Sequence, residues 1–466
     1  MQSGSSGKLE SQSRRLGGLL TQPPAKFAML NTAIVERRQW VPFLILAIVT
    51  AGGMGLVMGQ SNYDWQGLVI VATAIGILGV FMIPRLALLE PGDFLLKVLI
   101  CGLVLKMGAA MVRLWVAFGL YEGVADASAY HGWGIAISQH IWRLEFDQVI
   151  PLVQPGTSFI NFFTGLTYSL IGPTLYGGYL IYALLAFLGS YCFYAAFGVA
   201  FPQGNKRLYA VLVFLFPSIL YWSNGIGKDA LIFLCIGLAT LGGAQLCRDR
   251  LRGLAPLVLG LLGVLLVRPH IAAILVVALA LAMVFRGAGQ KHIRPATFIA
   301  GLFAIGGLMW FLLPRAMVFL GVKELSAEDV SSFFQLQQTL TATGGATFQG
   351  LDITRPVTFL TATTAVIFRP FPWEAHNLQA LIQSLEGILV IGLILWRLKG
   401  FGRAVVSSIS DSYLRYILIY CMAFIVTFSV IGNFAILARE RTMLLPLFFV
   451  LLAYDGDIKP RGAITS

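Results

Sequence analysis

Apolar runs separated by short polar connections repeat along nearly the whole chain. Runs that approach the length of a membrane span lie near 41–59, 66–84, 94–112, 174–199, 207–222, 229–246, 254–268, 270–286, 296–313, 380–397, 412–432 and 442–455. A helix crossing perpendicularly wants about 20 such residues. The runs are continuous, whereas barrel strands would show alternation in roughly ten-residue segments. The pattern therefore predicts an all-α, polytopic transmembrane protein with about twelve spans. Two shorter runs are expected not to cross. Residues 157–171 are rich in Gly, Thr, Ser and Asn and follow Pro155-Gly156. Residues 356–368 are bracketed by Arg355 and Arg369. Both suit re-entrant or interfacial helices covered by protein.

Charge then orients the spans. With the basic N-terminal stretch inside, alternation puts Arg85 and Lys97, Lys206 and Arg207, and Arg248, Arg250 and Arg252 inside. Arg286, Lys291 and Arg294, Arg397, Lys399 and Arg403, and the tail with Lys459 and Arg461 fall there too. That agrees with the positive-inside bias and places both termini in the cytoplasm. The domain reading is a disordered cytoplasmic tail at 1–40, one transmembrane domain at 41–455 and a cytoplasmic tail at 456–466. Long outer loops result at 113–173 and 314–379, the second with an amphipathic helix expected from Ser326.

Composition agrees. The chain is 58% hydrophobic and 12% charged, against about 25% charged in soluble domains, and its mean hydropathy is +0.81. The net charge of +12 sits in the inner connections, so no nucleic-acid partner follows from it. The five cysteines form no CxxC pair and imply no disulfide framework or metal knuckle. Residues 1–40 lack the short apolar core of a signal peptide.

Charges at the ends of apolar runs are the candidate chemistry, because a charge there is costly unless paired, hydrated or in use. Asp126 opens an expected helix over 126–142, with Tyr130, Trp133, Ile137 and Ile141 at one spacing and His131 beside them. It is either a helix cap or a general base for an acceptor hydroxyl, with Glu122 one turn upstream as a partner. Lys228-Asp229 follows the turn residues Asn224-Gly225 and starts the next run. It reads as a hairpin with a snorkelling Lys, or as an ammonium set to meet a phosphate. Arg268-Pro269-His270 fills a minimal outer turn, where an Arg fork matches phosphate oxygens. Arg369 to Glu374 combines a guanidinium, two prolines, Phe371, Trp373 and a carboxylate, suited to sugar and phosphate binding or to interfacial anchoring. Arg439-Glu440-Arg441 is either a locally neutralised pair or two Arg able to clamp a diphosphate. All of these fall on the expected outer face.

The stretches DASAYHGWG, FPSILYWSNGIGKDAL, VRPHIA, FRPFPWE and NFAILARERTMLLP, spread over roughly 113–455, resemble segments of bacterial membrane proteins of exopolysaccharide biosynthesis. The class they resemble is the GT-C glycosyltransferase, which uses polyprenyl-phosphate sugars outside the cytoplasm. The resemblance implies that Asp126 is the base and that Lys228, Arg268, Arg439 and Arg441 are phosphate contacts. Many members carry paired acids, whereas Asp126 stands apart from all but Glu122, and two further spans precede its loop. A divalent cation is therefore an open alternative rather than an expectation.

The expected activity is transfer of a sugar from a polyprenyl-linked donor to a glycan or lipid acceptor. Its place is the outer face of a bacterial inner membrane, among membrane lipids and other polysaccharide-assembly proteins. Asp126 is the expected catalytic residue. Glu122, Tyr130, His131, Lys228, Asp229, Arg268, His270, Arg369, Trp373, Glu374, Arg439 and Arg441 are the expected substrate contacts. A polymerase or ligase of lipid-linked oligosaccharides is the nearest alternative. A transporter or flippase is the second, against which stands the gathering of charges at one face rather than at the midplane.

Overall fold

The computed structural model describes residues 63–123, 126–285, 358–375, 377–429 and 431–456, with positions 306, 307 and 310. The tail at 1–40, the runs near 41–59 and 296–313, nearly all of the tail at 456–466 and most of the loop 314–379 lie outside the described residues. Every element described is helical, and no strand occurs among the described residues. The labelled helices are α1 Tyr63–Ala87, α2 Phe94–Trp115, α3 Asp126–Trp142, α4 Thr157–Ile171, α5 Leu175–Ala200, α6 Lys206–Leu215, α7 Pro217–Tyr221 and α8 Lys228–Cys247. They continue with α9 Leu254–Val267, α10 Pro269–Val284, α11 Thr358–Phe368, α12 Leu378–Trp396, α13 Leu398–Ser407, α14 Ser412–Phe428, α15 Phe434–Arg441 and α16 Leu445–Ala453.

Among the described residues, α1, α2 with its π-helical extension Val116–Leu120, α5, α8 and α12 are long and apolar enough to cross a membrane. The pair α13 and α14, bent by 106° at their junction, adds a sixth if taken as one broken span. The chain is thus an all-helical protein suited to a membrane. Several runs expected to span form shorter helices. All of α16 is buried, which fits a helix apolar on every side that lies in the protein core.

The helix α8 is central, packed against α5 and α9. Glycines let the backbones close in: a β-carbon at Gly260 would lie 2.6 Å from the Cys235 oxygen, and one at Gly242 as near the Gly253 oxygen. In lipid, where apolar side chains gain little by leaving the solvent, such close packing is a main source of helix association. The run 157–171 folds as α4 and pairs with α3, where Gly134 and Gly165 meet Thr164 and Ile137. At about 22 Å, α4 is shorter than the roughly 30 Å hydrocarbon core.

The run expected at 207–222 is interrupted. Pro217 pushes Phe216 into an extended conformation (ψ 130°), which separates α6 from α7. Each such break orphans backbone groups, and here charged side chains from neighbouring helices satisfy them. On the N-terminal side, Glu386 of α12 accepts from the Ser218 N–H at 2.7 Å and from its hydroxyl. On the C-terminal side, Lys106 of α2 donates to the Ile219 oxygen at 2.7 Å and to Ser223 Oγ at 2.6 Å. Two turns along α2, Arg113 donates to the Trp222 and Asn224 oxygens. The fully buried Lys106 is therefore held by the break itself.

Charged groups collect at the two ends of α8, about 28 Å apart by helix rise. Arg113, Asp126, Arg268, Arg439 and Glu440 gather around Asp229. At the opposite end Arg248 pairs with Asp411, Lys206 with Glu90 and Arg397 with Asp455.

Candidate functional site

The site begins with the turn between α7 and α8. Gly225 (φ 94°) and Gly227 (φ 154°) hold conformations that side-chain-bearing residues rarely adopt, and Tyr179 leaves no room for a β-carbon at Gly225. The turn ends at Lys228 and Asp229, the first residues of α8. Arg113, clamped on the turn's carbonyls, reaches Asp229 Oδ2 at 3.1 Å through Nη2. Arg439 Nε donates to Asp229 Oδ1 at 2.8 Å. Arg268 Nη2 lies 4.0 Å from the same oxygen, and its Nη1 donates to Glu440.

Asp229 is only 6% exposed. Three guanidiniums around one buried carboxylate offset the cost of taking it out of water. Asp229 in turn holds the Arg439 guanidinium protonated well above its usual range. Arg439 also reaches Asp126 Oδ2 at 3.4 Å, a weak contact that leaves the Asp126 side chain 67% exposed.

A cavity of about 240 Å³ opens beside this cluster, lined by Arg113, Asp126, Tyr130, Tyr179, Asp229 and Arg439 with a few smaller residues. Tyr130 is buried on the α3 face that carries Asp126, and burial together with the Asp126 carboxylate pushes its phenol up to about 12. It is a neutral hydrogen-bonding group at neutral pH. Lys228 does not line the cavity but lies within electrostatic reach of Arg268, Arg439, Asp126 and Asp229. No ion pair to it is formed among the described residues.

The structure thus brings together Asp126, Tyr130, Lys228, Asp229, Arg268 and Arg439. The other expected residues sit elsewhere. His131 turns from the cavity to Tyr168, with Nδ1 2.7 Å from the hydroxyl, and burial lowers its pKa. Glu122 is exposed in a left-handed turn and does not line the cavity. His270 lies against the Phe428 ring at 6.2 Å and does not line the cavity, although it is within electrostatic reach of Arg268 and Lys228.

Arg369 and Glu374 pair with each other, Nε to Oε1 at 2.9 Å, and Trp373 is 78% exposed while stacking on Phe371. Arg441 points away from the cavity, is 1% exposed and donates to the Arg369 oxygen. The triplet 439–441 therefore sends its side chains three ways, with Glu440 bound to Arg268 rather than to its neighbours.

Arg113 is a site residue that the sequence reading missed. It lies at the end of an apolar run, where a lone Arg looks like a boundary marker, and its partner Asp229 is distant in the chain. Asp126 faces a guanidinium rather than Glu122, and Asp229 is ringed by three. No group of three His, Cys, Asp or Glu able to hold a metal ion occurs among the described residues. Compared with known proteins, the chain matches no family model, no curated protein and no solved structure.

Proposed function

We propose that the protein transfers a sugar from a polyprenyl-linked donor to a glycan or lipid acceptor at the outer face of a bacterial inner membrane. In this reading about twelve spans leave both termini in the cytoplasm, and the Asp229 end of α8 faces outward. The observation that carries it is the cavity where an exposed carboxylate, Asp126, stands opposite Arg113 and Arg439, with Lys228 within electrostatic reach of Asp126 and Arg439.

The acceptor hydroxyl attacks the anomeric carbon and gives its proton to Asp126. The bond from that carbon to the donor's phosphate oxygen breaks, and the phosphate leaves with the electron pair. Arg439, Arg113 and Lys228 stabilise the charge that develops on the leaving phosphate. Asp229 and Glu440 hold the arginines in place beforehand, so little reorganisation is needed at the moment of reaction.

The test is reconstitution of the protein in proteoliposomes with lipid extracts containing polyprenyl-linked sugars, followed by mass spectrometry of the products. Wild type is expected to yield a new glycosylated product. Asp126→Asn and Arg439→Gln are expected to lose at least about 100-fold in rate. Transfer that persists in Asp126→Asn points instead to a polymerase or ligase that needs no carboxylate base. Solute uptake without any transfer would overturn both readings.

A further inference from the structure

The helix α13 follows directly on the membrane-length α12 at the Arg248 end of α8. It is bent by 106° from α14, so it lies across that helix instead of continuing it. At about 100° per residue its surface divides into three sectors. Gly400 and Ala404 are buried against the protein, where a β-carbon at Gly400 would lie 3.2 Å from the Tyr454 oxygen. Beside them Phe401 packs on Phe448 of α16, ring centroids 5.9 Å apart. A second sector carries Leu398, Gly402 and Val406, all exposed, with Ile409 exposed just past the helix end. The third carries Lys399 and Arg403, also exposed.

The apolar sector continues from Leu395 and Trp396, which are exposed at the end of α12. A Trp there marks the level at which a span leaves the hydrocarbon. The basic sector is not neutralised by the protein. Between Arg397 and Ser410 the chain has no Asp or Glu. Arg403 donates to the Lys399 and Asp455 backbone oxygens at 3.3 and 3.0 Å, while the Asp455 carboxylate is taken by Arg397. The Lys399 ammonium has no ion pair or hydrogen bond among the described residues. A helix with adjoining apolar and basic sectors seats at the boundary between acyl chains and headgroups. Two cations with no acid among them favour headgroups of net negative charge over zwitterionic ones.

We propose that α13 binds anionic phospholipid at the membrane surface, with Leu398 and Val406 among the acyl chains and Lys399 and Arg403 on the headgroups. The proposal goes beyond the transfer reading and does not depend on it.

The experiment uses the full chain in phosphatidylcholine nanodiscs, with a fluorophore on Val406→Cys in a Cys101→Ser background; the other four cysteines are buried. Quenching is followed on adding a small, equal mole fraction of nitroxide-labelled phosphatidylglycerol or phosphatidylcholine, the nitroxide near the top of the acyl chain. The anionic lipid is expected to associate about fivefold more strongly, the scale of one basic residue at an anionic surface. That preference should fade in about 1 M salt, where charges are screened within roughly 3 Å. Lys399→Gln/Arg403→Gln should abolish it, and Lys399→Arg/Arg403→Lys should keep it. Equal quenching by the two lipids would overturn the proposal, as would a preference that survives loss of both cations. Absence of quenching by either lipid would show the face covered by protein and overturn it too. The comparison of the two lipids needs neither charge variant, so it stands even if one of them fails to fold.

Discussion

The two ends of α8 use the same residue types in different ways. At the Arg248 end, each cation meets one acid or a set of carbonyls: Arg248 reaches Asp411 at 2.7 Å and the Ala200 oxygen, and Lys206 reaches Glu90 at 2.6 Å. Arg415 caps the oxygens of Ser408, Ile409, Ala282 and Phe285. These side chains are a fifth to a quarter exposed where they pair. At the Asp229 end three guanidiniums share one carboxylate that is 7% exposed, beside an open cavity. Exposed one-to-one pairs anchor helix ends and contribute little. A buried cluster that outnumbers its central carboxylate is costly to assemble and leaves guanidinium donors facing a cavity, which is what an anionic ligand requires.

The contrast can be broken by removing one acid from each end. Asp229→Ala leaves three guanidiniums around a hole and is expected to destabilise by about 3–5 kcal/mol, the scale for breaking a buried pair. Asp411→Ala, at the other end, is expected to cost about 1–2 kcal/mol, most of it from the cap that Asp411 gives the Tyr413 and Leu414 N–H groups and little from its pair with Arg248. Thermal unfolding in one detergent compares the two directly, and equal losses would erase the distinction.

Next in size are the features that bring α8 into position. Gly260→Val should force apart α8 and α9, at about 1–3 kcal/mol, because its β-carbon would meet the Cys235 oxygen. Lys106→Met should lose about 0.5–1.5 kcal/mol, the scale of one net hydrogen bond, because the Ser223 hydroxyl still donates to the Ile219 oxygen when the ammonium is gone. The same unfolding measurement reads both. The smallest effect expected is that of Lys206→Ala, under about 1 kcal/mol, since its partner Glu90 is itself about a quarter exposed.

Much of this architecture is legible along the chain. Asp126 and Lys228 start helices where their neighbours suggest, and Gly225 makes the turn that Asn224-Gly225 implies. Arg268 stands as the cap before Pro269. What the pattern hides is pairing across the fold. Asp229 looks like an ordinary first-turn acid, yet its partners come from α2, α15 and the turn before α10. Glu386 passes for a stray charge in an apolar run, although it caps the broken span at Ser218. Near neighbours also diverge, as Arg439 and Arg441 do, because residues two apart on a helix point about 200° away from each other. Periodicity sets which face a residue occupies, while the partner on the facing helix is set by packing.

An outward-facing transferase requires the Asp229 end of α8 to face away from the cytoplasm. A membrane-impermeant maleimide applied to intact cells reads this directly, with single cysteines at exposed positions of each end in a Cys101→Ser background. Glu122→Cys and Asp126→Cys are expected to label from outside, and Ser410→Cys and Arg250→Cys only after permeabilisation. The reverse pattern would place the charged cavity in the cytoplasm and contradict an outward-facing transferase.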